Sequence, residues 1–520
     1  MTPGESAARS WSARALPLLS VLCVYLSVQA SLIATRESPA RDGARYMRYA
    51  LRLETEPWQG VMRSSVDHPG YPVFLVSLFS LARILGVDSP GARVILAESA
   101  TAFAGLVFVL LGYRMARKLW GALPAWAGMM AFAALPRPAW QMGDILSDPL
   151  YAALWAASVA GILAGLERLS ADHPGVGRLR AFFLAGCAGA LAYWVRVDAL
   201  TLPAGIIAGG CLIILAGRRA GGRPARRVAA LSGLYLLGFG AGFAFFVAVR
   251  GAWSGKPVTD VLLGLRDLLG DRVAPAAAVA APAPRGLLPA IWEVLRDLGQ
   301  EVQFLHLATC ALGIVAICRT RRISPGGLFL AALTLVYLAV LVLVRMRAGY
   351  VASRYFLPLV PGVVCLGAYG FLAAARILHG TPTHVPGGRA VRREVALAVL
   401  LVLGSLACSV PSLLKRMTVD DDHGVMEAGR WVARSLKEGE TLHDPYFFPS
   451  YISGLRGPSL VGPVPAAGTP RHLVIAKDGD LDRLQDLERL ILLGKAAAVA
   501  AFPRVKGGEK LEVKVYEIRQ

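Results

Sequence analysis

Residues Leu16–Ala34 read LPLLSVLCVYLSVQASLIA, and Arg41–Ala50, a few residues on, read RDGARYMRYA. The first stretch holds no charge over 19 residues, close to the roughly 20 needed to cross a hydrocarbon core of about 30 Å. Arg9 and Arg14 precede it, and no small-residue cleavage signal leads into polar sequence after it, which predicts an uncleaved first span. The second stretch places a carboxylate, Asp42, just outside that span. Tyr46, Tyr49, Ala50 and Leu53 follow at the spacing of an amphipathic helix, with Asp42 at its N-terminal end.

Outward from this pair, apolar runs of span length recur at 15–34, 94–113, 121–136, 149–166, 181–195, 199–216, 228–249, 302–318, 326–344, 355–375 and 395–412. Eleven transmembrane helices are expected. With 55% hydrophobic residues, 17% charged and a mean hydropathy of +0.52, a wholly soluble protein is excluded. The net charge of +20 does not indicate nucleic acid, because the basic residues sit in short clusters between apolar runs. Five alternate loops carry eighteen Lys and Arg against Glu167, Asp172 and Glu394, which predicts those loops and the N-terminus to be cytoplasmic. Eleven spans then put the C-terminus outside, in a bacterial plasma membrane. The seven cysteines lie in or beside apolar runs without metal-ligand spacing and read as small hydrophobes.

This topology exposes 35–93, 137–148, 250–301 and everything after 413. Tyr71–Leu85 is apolar but short, suited to a helix at the interface. Ala274–Pro284 reads as a linker between two amphipathic stretches. Residues 413–520 hold seven of the nine lysines and fifteen of the 35 acids, so the expected domains are 1–412 in the membrane and 413–520 as a small soluble α/β unit. In the latter, Val425–Leu436 and Leu481–Leu493 read as helices, and His472–Ala476, Ala496–Phe502 and Leu511–Ile518 as strands.

Four constellations could carry chemistry. Asp42 could accept a proton from an incoming hydroxyl, or could cap its helix. His68-Pro69-Gly70-Tyr71-Pro72 forces a rigid entry to the interfacial helix, with His68 either structural or a ligand. In Gly143–Leu150, Ser147 or Asp148 with Pro149 makes a helix start, while Asp144 and Asp148 could hold a divalent cation. Finally, Arg196, Arg250, Arg345, Arg347 and Arg354 lie on the external side against the positive-inside trend. Phosphate recognition is one reason for that placement. Snorkelling or pairing, for instance Arg196 with Asp198, is the other.

In this order, Asp42-Gly43-Ala44-Arg45-Tyr46, His68 to Pro72, Ser147-Asp148-Pro149-Leu150, Arg196-Val197-Asp198-Ala199 and Arg354-Tyr355-Phe356-Leu357-Pro358 resemble the motifs of GT-C membrane glycosyltransferases. The similarity is to the branch of protein O-mannosyltransferases and bacterial aminoarabinose transferases. The resemblance implies a polytopic α-helical fold and an inverting transfer of a sugar from a polyprenyl-phosphate-linked donor to a lipid, glycan or protein acceptor. It gives Asp42 the role of catalytic base and the donor phosphate to Arg196, Arg250, Arg354 and Tyr355. Tyr46, His68 and Ser147 then belong to the loop and turn motifs. Members often have Asp-Glu where this chain has Asp42-Gly43, so the second acid is missing. Metal use varies in the superfamily, and Asp148 and His306 are the candidate ligands here. No GxGxxG or P-loop follows a strand, in keeping with a lipid-linked donor. A secondary transporter or lipid flippase, signalled by mid-membrane acids such as Glu98, and a non-catalytic membrane scaffold are the alternative readings.

Overall fold

A computed structural model describes residues 3–36, 41–166, 176–219, 225–253, 286–320, 324–378, 388–418, 423–435, 441–443, 472–477, 496–506 and 509–518. The helices are α1 (Pro3–Thr35), α2 (Arg41–Thr55), α3 (Trp58–Ser64), α4 (Gly70–Ile84), α5 (Pro90–Trp120), α6 (Ala122–Ala134), α7 (Pro136–Gly143), α8 (Ser147–Leu166) and α9 (Val176–Val195). They continue with α10 (Thr201–Arg219), α11 (Ala225–Arg250), α12 (Leu287–Glu301), α13 (Gln303–Thr320), α14 (Pro325–Ala348), α15 (Val360–Leu378), α16 (Gly388–Thr418) and α17 (His423–Ser435).

Every apolar run expected to span is helical. Among the described residues eight helices are long and apolar enough to cross a membrane. The three other runs are the 13-residue α6, α9, and α13, which meets α12 at a bend of 110°. At that bend Gln303 takes a φ of 57°, a left-handed conformation that costs a side-chain-bearing residue energy, and its amide donates to Ser409 Oγ at 2.8 Å. The spans start and stop on local signals. Ser89 caps α5 by accepting from Ala92 N at 3.2 Å, with Pro90 next, and the helix ends at Gly121 with φ 92°. Ser324, Pro325 and Gly349 do the same for α14.

Helices pack side by side, α13 on α15, α9 on α8 and α11, and α10 on α14. Small residues permit the approach: a Cβ on Gly128 of α6 would lie 2.6 Å from Cys365 Cα of α15. Large apolar side chains such as Leu184, Leu237 and Phe245 stand exposed on the helix flanks. In water these would be a liability; against lipid they are the expected solution, since helices satisfy their backbone internally.

As expected, α2 and α4 form short helices outside the spans. α2 turns Ala44, Tyr46, Met47, Tyr49 and Ala50 inward. The His68–Pro72 turn runs so close to α9 that a Cβ on Gly70 would sit 2.7 Å from the Trp194 carbonyl carbon. After the last span, α17 covers a four-stranded sheet: β1 (Thr441–His443), β2 (His472–Lys477), β3 (Ala496–Lys506) and β4 (Glu509–Ile518), in the order β1-β2-β4-β3. β1 and β2 are parallel, whereas β4 is antiparallel to both β2 and β3. Ala428 and Val432 of α17 close over Leu473, Ile475, Val513 and Val515. The expected helix at Leu481–Leu493 and the linker Ala274–Pro284 lie outside the described residues.

Candidate active site

α2, the loop before α4, the α9–α10 junction, α14 and the 3-10 turn Ser353–Phe356 line one cavity of about 190 Å³, and Asp42 and Asp148 join it through their ion pairs with Arg354 and Arg196. Tyr46, Asp67, His68, Arg196, Asp198, Arg354 and Tyr355 line it. Residues more than 300 positions apart therefore meet, as the motif order implied.

Asp42 lies in the first turn of α2, about a quarter exposed, and accepts a short hydrogen bond from Arg354. Arg45, one turn on, approaches Asp42 at 3.4 Å and Asp67 at 2.5 Å. Arg196 extends between two acids, reaching Asp148 at 2.5 Å and Asp198 at 2.7 Å, and its guanidinium lies 4.6 Å from the Tyr355 ring centre. The other Asp148 oxygen, Oδ2, is buried without a hydrogen-bond partner. Burial by itself would lower the Arg354 pKa, but Asp148 and Asp42 outweigh it and hold the value above the ordinary one. Arg196 is held up in the same way by Asp148 and Asp198. Both arginines are permanent cations at any accessible pH.

Tyr46 reaches the α8 turn, its hydroxyl 2.9 Å from Ser147 Oγ and its ring edge-on to Tyr71. Burial above all, then Asp148, raises the phenol pKa, so Tyr46 stays neutral and joins α2 to α8. His68 donates from Nδ1 to the Tyr193 carbonyl at 2.8 Å, stacks on Phe246, and walls the cavity. A carbonyl can only accept, so this bond fixes the proton on Nδ1.

Two expected phosphate or metal ligands have other partners in this arrangement. Arg250 is committed to backbone, donating to the Asp67 carbonyl at 3.1 Å and to the Ser65 carbonyl, where it ties α11 to the loop before α4. His306 lies buried on α13, its Nε2 3.0 Å from Ser405 Oγ of α16. Arg345 is likewise paired, with Glu293 at 2.5 Å. Among the described residues no three His, Cys, Asp or Glu side chains group as a metal requires. Asp148 and Asp42 each already face an arginine, so the donor set does not fit a resident divalent ion. Sequence reading missed Arg45 and Asp67 as site members. Tyr337, mid-helix on α14, also lines the cavity and carries no sequence signal at all.

No family model matches the chain, and no curated protein matches it in sequence. Its fold does have solved counterparts. ArnT from Cupriavidus metallidurans, crystallised with undecaprenyl phosphate, superposes with a TM-score of 0.59 at 15% identity, covering 96% of this chain and 97% of that one. An Archaeoglobus fulgidus oligosaccharyltransferase in its apo form gives 0.57 at 13% identity, over 91% of this chain and 70% of its own. The same enzyme has been crystallised with zinc and sulfate. The A. fulgidus oligosaccharyltransferase AglB in complex with an inhibitory peptide and a dolichol-phosphate gives 0.51 at 14%, over 88% and 62%. The likeness is one of architecture: the chain shares the fold of these proteins, a polytopic helical bundle followed by a small C-terminal α/β unit.

Proposed function

We propose that the chain is an inverting membrane glycosyltransferase that moves a sugar from a polyprenyl-phosphate-linked donor to a lipid, glycan or protein acceptor. The reading is supported most by one observation: Arg354 and Arg196 line one cavity of the bundle, and Asp42 is ion-paired to Arg354. We place this cavity on the external face of a bacterial plasma membrane, with the N-terminus inside. Residues 413–520 form a separate external domain that engages acceptor or adds stability.

In this reaction the acceptor hydroxyl gives its proton to Asp42 while its oxygen attacks the anomeric carbon. The bond from that carbon to the phosphate oxygen breaks, and its electron pair leaves on the phosphate. Arg354, and Arg196 beside it, stabilise the charge that gathers there, with Tyr355 as the stacking surface. A phosphate is a weakly basic leaving group, so no general acid is needed. The acids around the cavity are paired before substrate arrives: Arg354 with Asp42, Arg45 with Asp42 and Asp67, and Arg196 with Asp148 and Asp198. Donor phosphate therefore binds by exchange. It takes Arg354 from Asp42, and the carboxylate is released to act as base only once the donor is seated.

Incubating the purified protein with a panel of polyprenyl-phosphate sugars tests the proposal. Donor hydrolysis or transfer with at least one member is expected; silence across the panel, with the lipid phosphate failing to bind, would count against it.

A further inference from the structure

Beside the cavity two buried polar atoms go unsatisfied, and they are complementary. Asp148 gives Oδ1 to Arg196 Nη1 at 2.5 Å, while its Oδ2 is buried with no hydrogen-bond partner. Arg354 donates from Nη1 to Asp42, while its Nε is buried with no partner either. Each such atom carries its full desolvation cost, so native structures seldom leave one unused. Here one is a carboxylate acceptor and the other a guanidinium donor.

The two groups share one neighbourhood. Arg196 and Arg354 both line the cavity, and both guanidinium carbons lie near the Tyr355 ring, at 4.6 and 6.0 Å from its centre. Burial acts to lower the Arg354 pKa, and of the charges that hold it up Asp148 contributes more than Asp42, although Asp42 makes the direct contact. Asp148 is 2% exposed in the first turn of α8, where the helix end favours an anion, whereas Asp42 is 24% exposed. Asp148 is thus the deeper of the two carboxylates that Arg354 can use.

A guanidinium offers donors on more than one edge. The end that carries Nη1 and Nη2 matches a phosphate, and the side that carries Nε is left for a second acceptor. We propose that Asp148 is the second seat of Arg354: when the Nη atoms leave Asp42 for a phosphate, Nε turns onto Asp148 Oδ2, and Asp148 then holds Arg196 and Arg354 side by side through its two oxygens. Asp148 acts through the arginines and is a positioning residue; its place in catalysis rests on the glycosyltransferase reading above. The second seat keeps Arg354 in the cavity after it has let go of Asp42, so that phosphate binding and release of the base are one movement.

Two measurements on the full-length protein test the seat, one of them without any ligand. In a crystal structure of Asp42→Ala, Arg354 Nε should lie within hydrogen-bond distance of Asp148 Oδ2; an Arg354 turned out of the cavity, or an Oδ2 still without a partner, would overturn the proposal. The second measurement is titration of polyprenyl phosphate in detergent. Asp148→Asn can still accept from Arg196 but offers Arg354 no second oxygen, so binding should weaken about five-fold or more, the worth of one charge-assisted hydrogen bond. Lysine carries a terminal ammonium and no donor on a side edge, so in an Arg354→Lys background the same change should cost less than about two-fold. An equal loss in both backgrounds would mean that Asp148 acts only through Arg196, and its role on Arg354 would fall. Wild-type protein that binds no polyprenyl phosphate would count against the glycosyltransferase reading, and the Asp42→Ala structure would still decide the seat.

Discussion

Replacing Asp42 by Asn separates its two conceivable roles and also tests the exchange with Arg354. Asn caps a helix about as well as Asp, so the substitution is nearly silent in stability if capping is all Asp42 does. As a base, Asn cannot accept the proton, and turnover should fall by roughly 10²–10⁴-fold, the usual worth of general-base catalysis. The second consequence comes from the ion pair. Asp42 and Arg354 are 24% and 25% exposed, between a surface pair and a buried one. A solvent-screened pair of this kind contributes at most about 1 kcal/mol, so releasing Arg354 should tighten lipid-phosphate binding by roughly two- to five-fold. Transfer would be followed with radiolabelled donor, and binding by titrating the polyprenyl phosphate in detergent. Lower turnover with equal or tighter phosphate binding is the expected pairing. Transfer near the wild-type rate would refute the base assignment, and weaker phosphate binding would refute the exchange.

Arg196→Ala leaves the buried carboxylate of Asp148 (2% exposed) without its partner, and a broken buried pair costs about 3–5 kcal/mol; detergent melting should show a marked loss. Tyr46→Phe removes only the 2.9 Å contact with Ser147; about 1 kcal/mol of stability should go, with turnover within a few-fold of wild type. Because Arg354 and Arg196 are held charged, neither arginine contributes to the pH–rate profile, whereas a base at position 42 must be deprotonated to act. The rate should fall as pH falls, and this acid limb should vanish from the residual activity of Asp42→Asn. Single cysteines at Trp58 and Arg430, both exposed, should be labelled by an impermeant reagent from the periplasmic side; labelling of residue 430 only from the cytoplasm would contradict the proposed topology.

Much of this was legible in the chain because lipid imposes a simple code. An apolar run of span length has few alternatives to a helix, and all eleven such runs are helical. Short motifs at the span ends carried the site, since proline, glycine and an acid at a turn leave a strong local signature: His68–Pro72 and Ser147–Leu150 fell where their spacing implied. Partner choice was not legible. Nothing local tells that Arg250 spends its donors on the carbonyls of residues 65 and 67, or that Arg196 reaches Asp148 forty-eight positions away in addition to its neighbour Asp198. Nor does anything local tell that His306, a candidate metal ligand in the sequence, turns Nε2 to the Ser405 hydroxyl on α16.

Glu98 bears on the choice between enzyme and transporter. A coupling site in a secondary transporter needs an ionisable group near mid-membrane, at a break in a helix, and free to change partners. Glu98 meets none of these conditions. It sits eight residues from the start of α5, an unbroken helix of 31 residues, and faces Arg36 immediately beyond the end of α1. The pair therefore lies at one edge of the spans, on the side where Asp42 and Arg354 meet. The break in a helix that is present, between α12 and α13, carries the buried Glu301, but that acid is bound by Arg137 at 2.8 Å. Asp42, Asp148, Glu98 and Glu301 are thus each held by an arginine, where a coupling acid must be free to change partners.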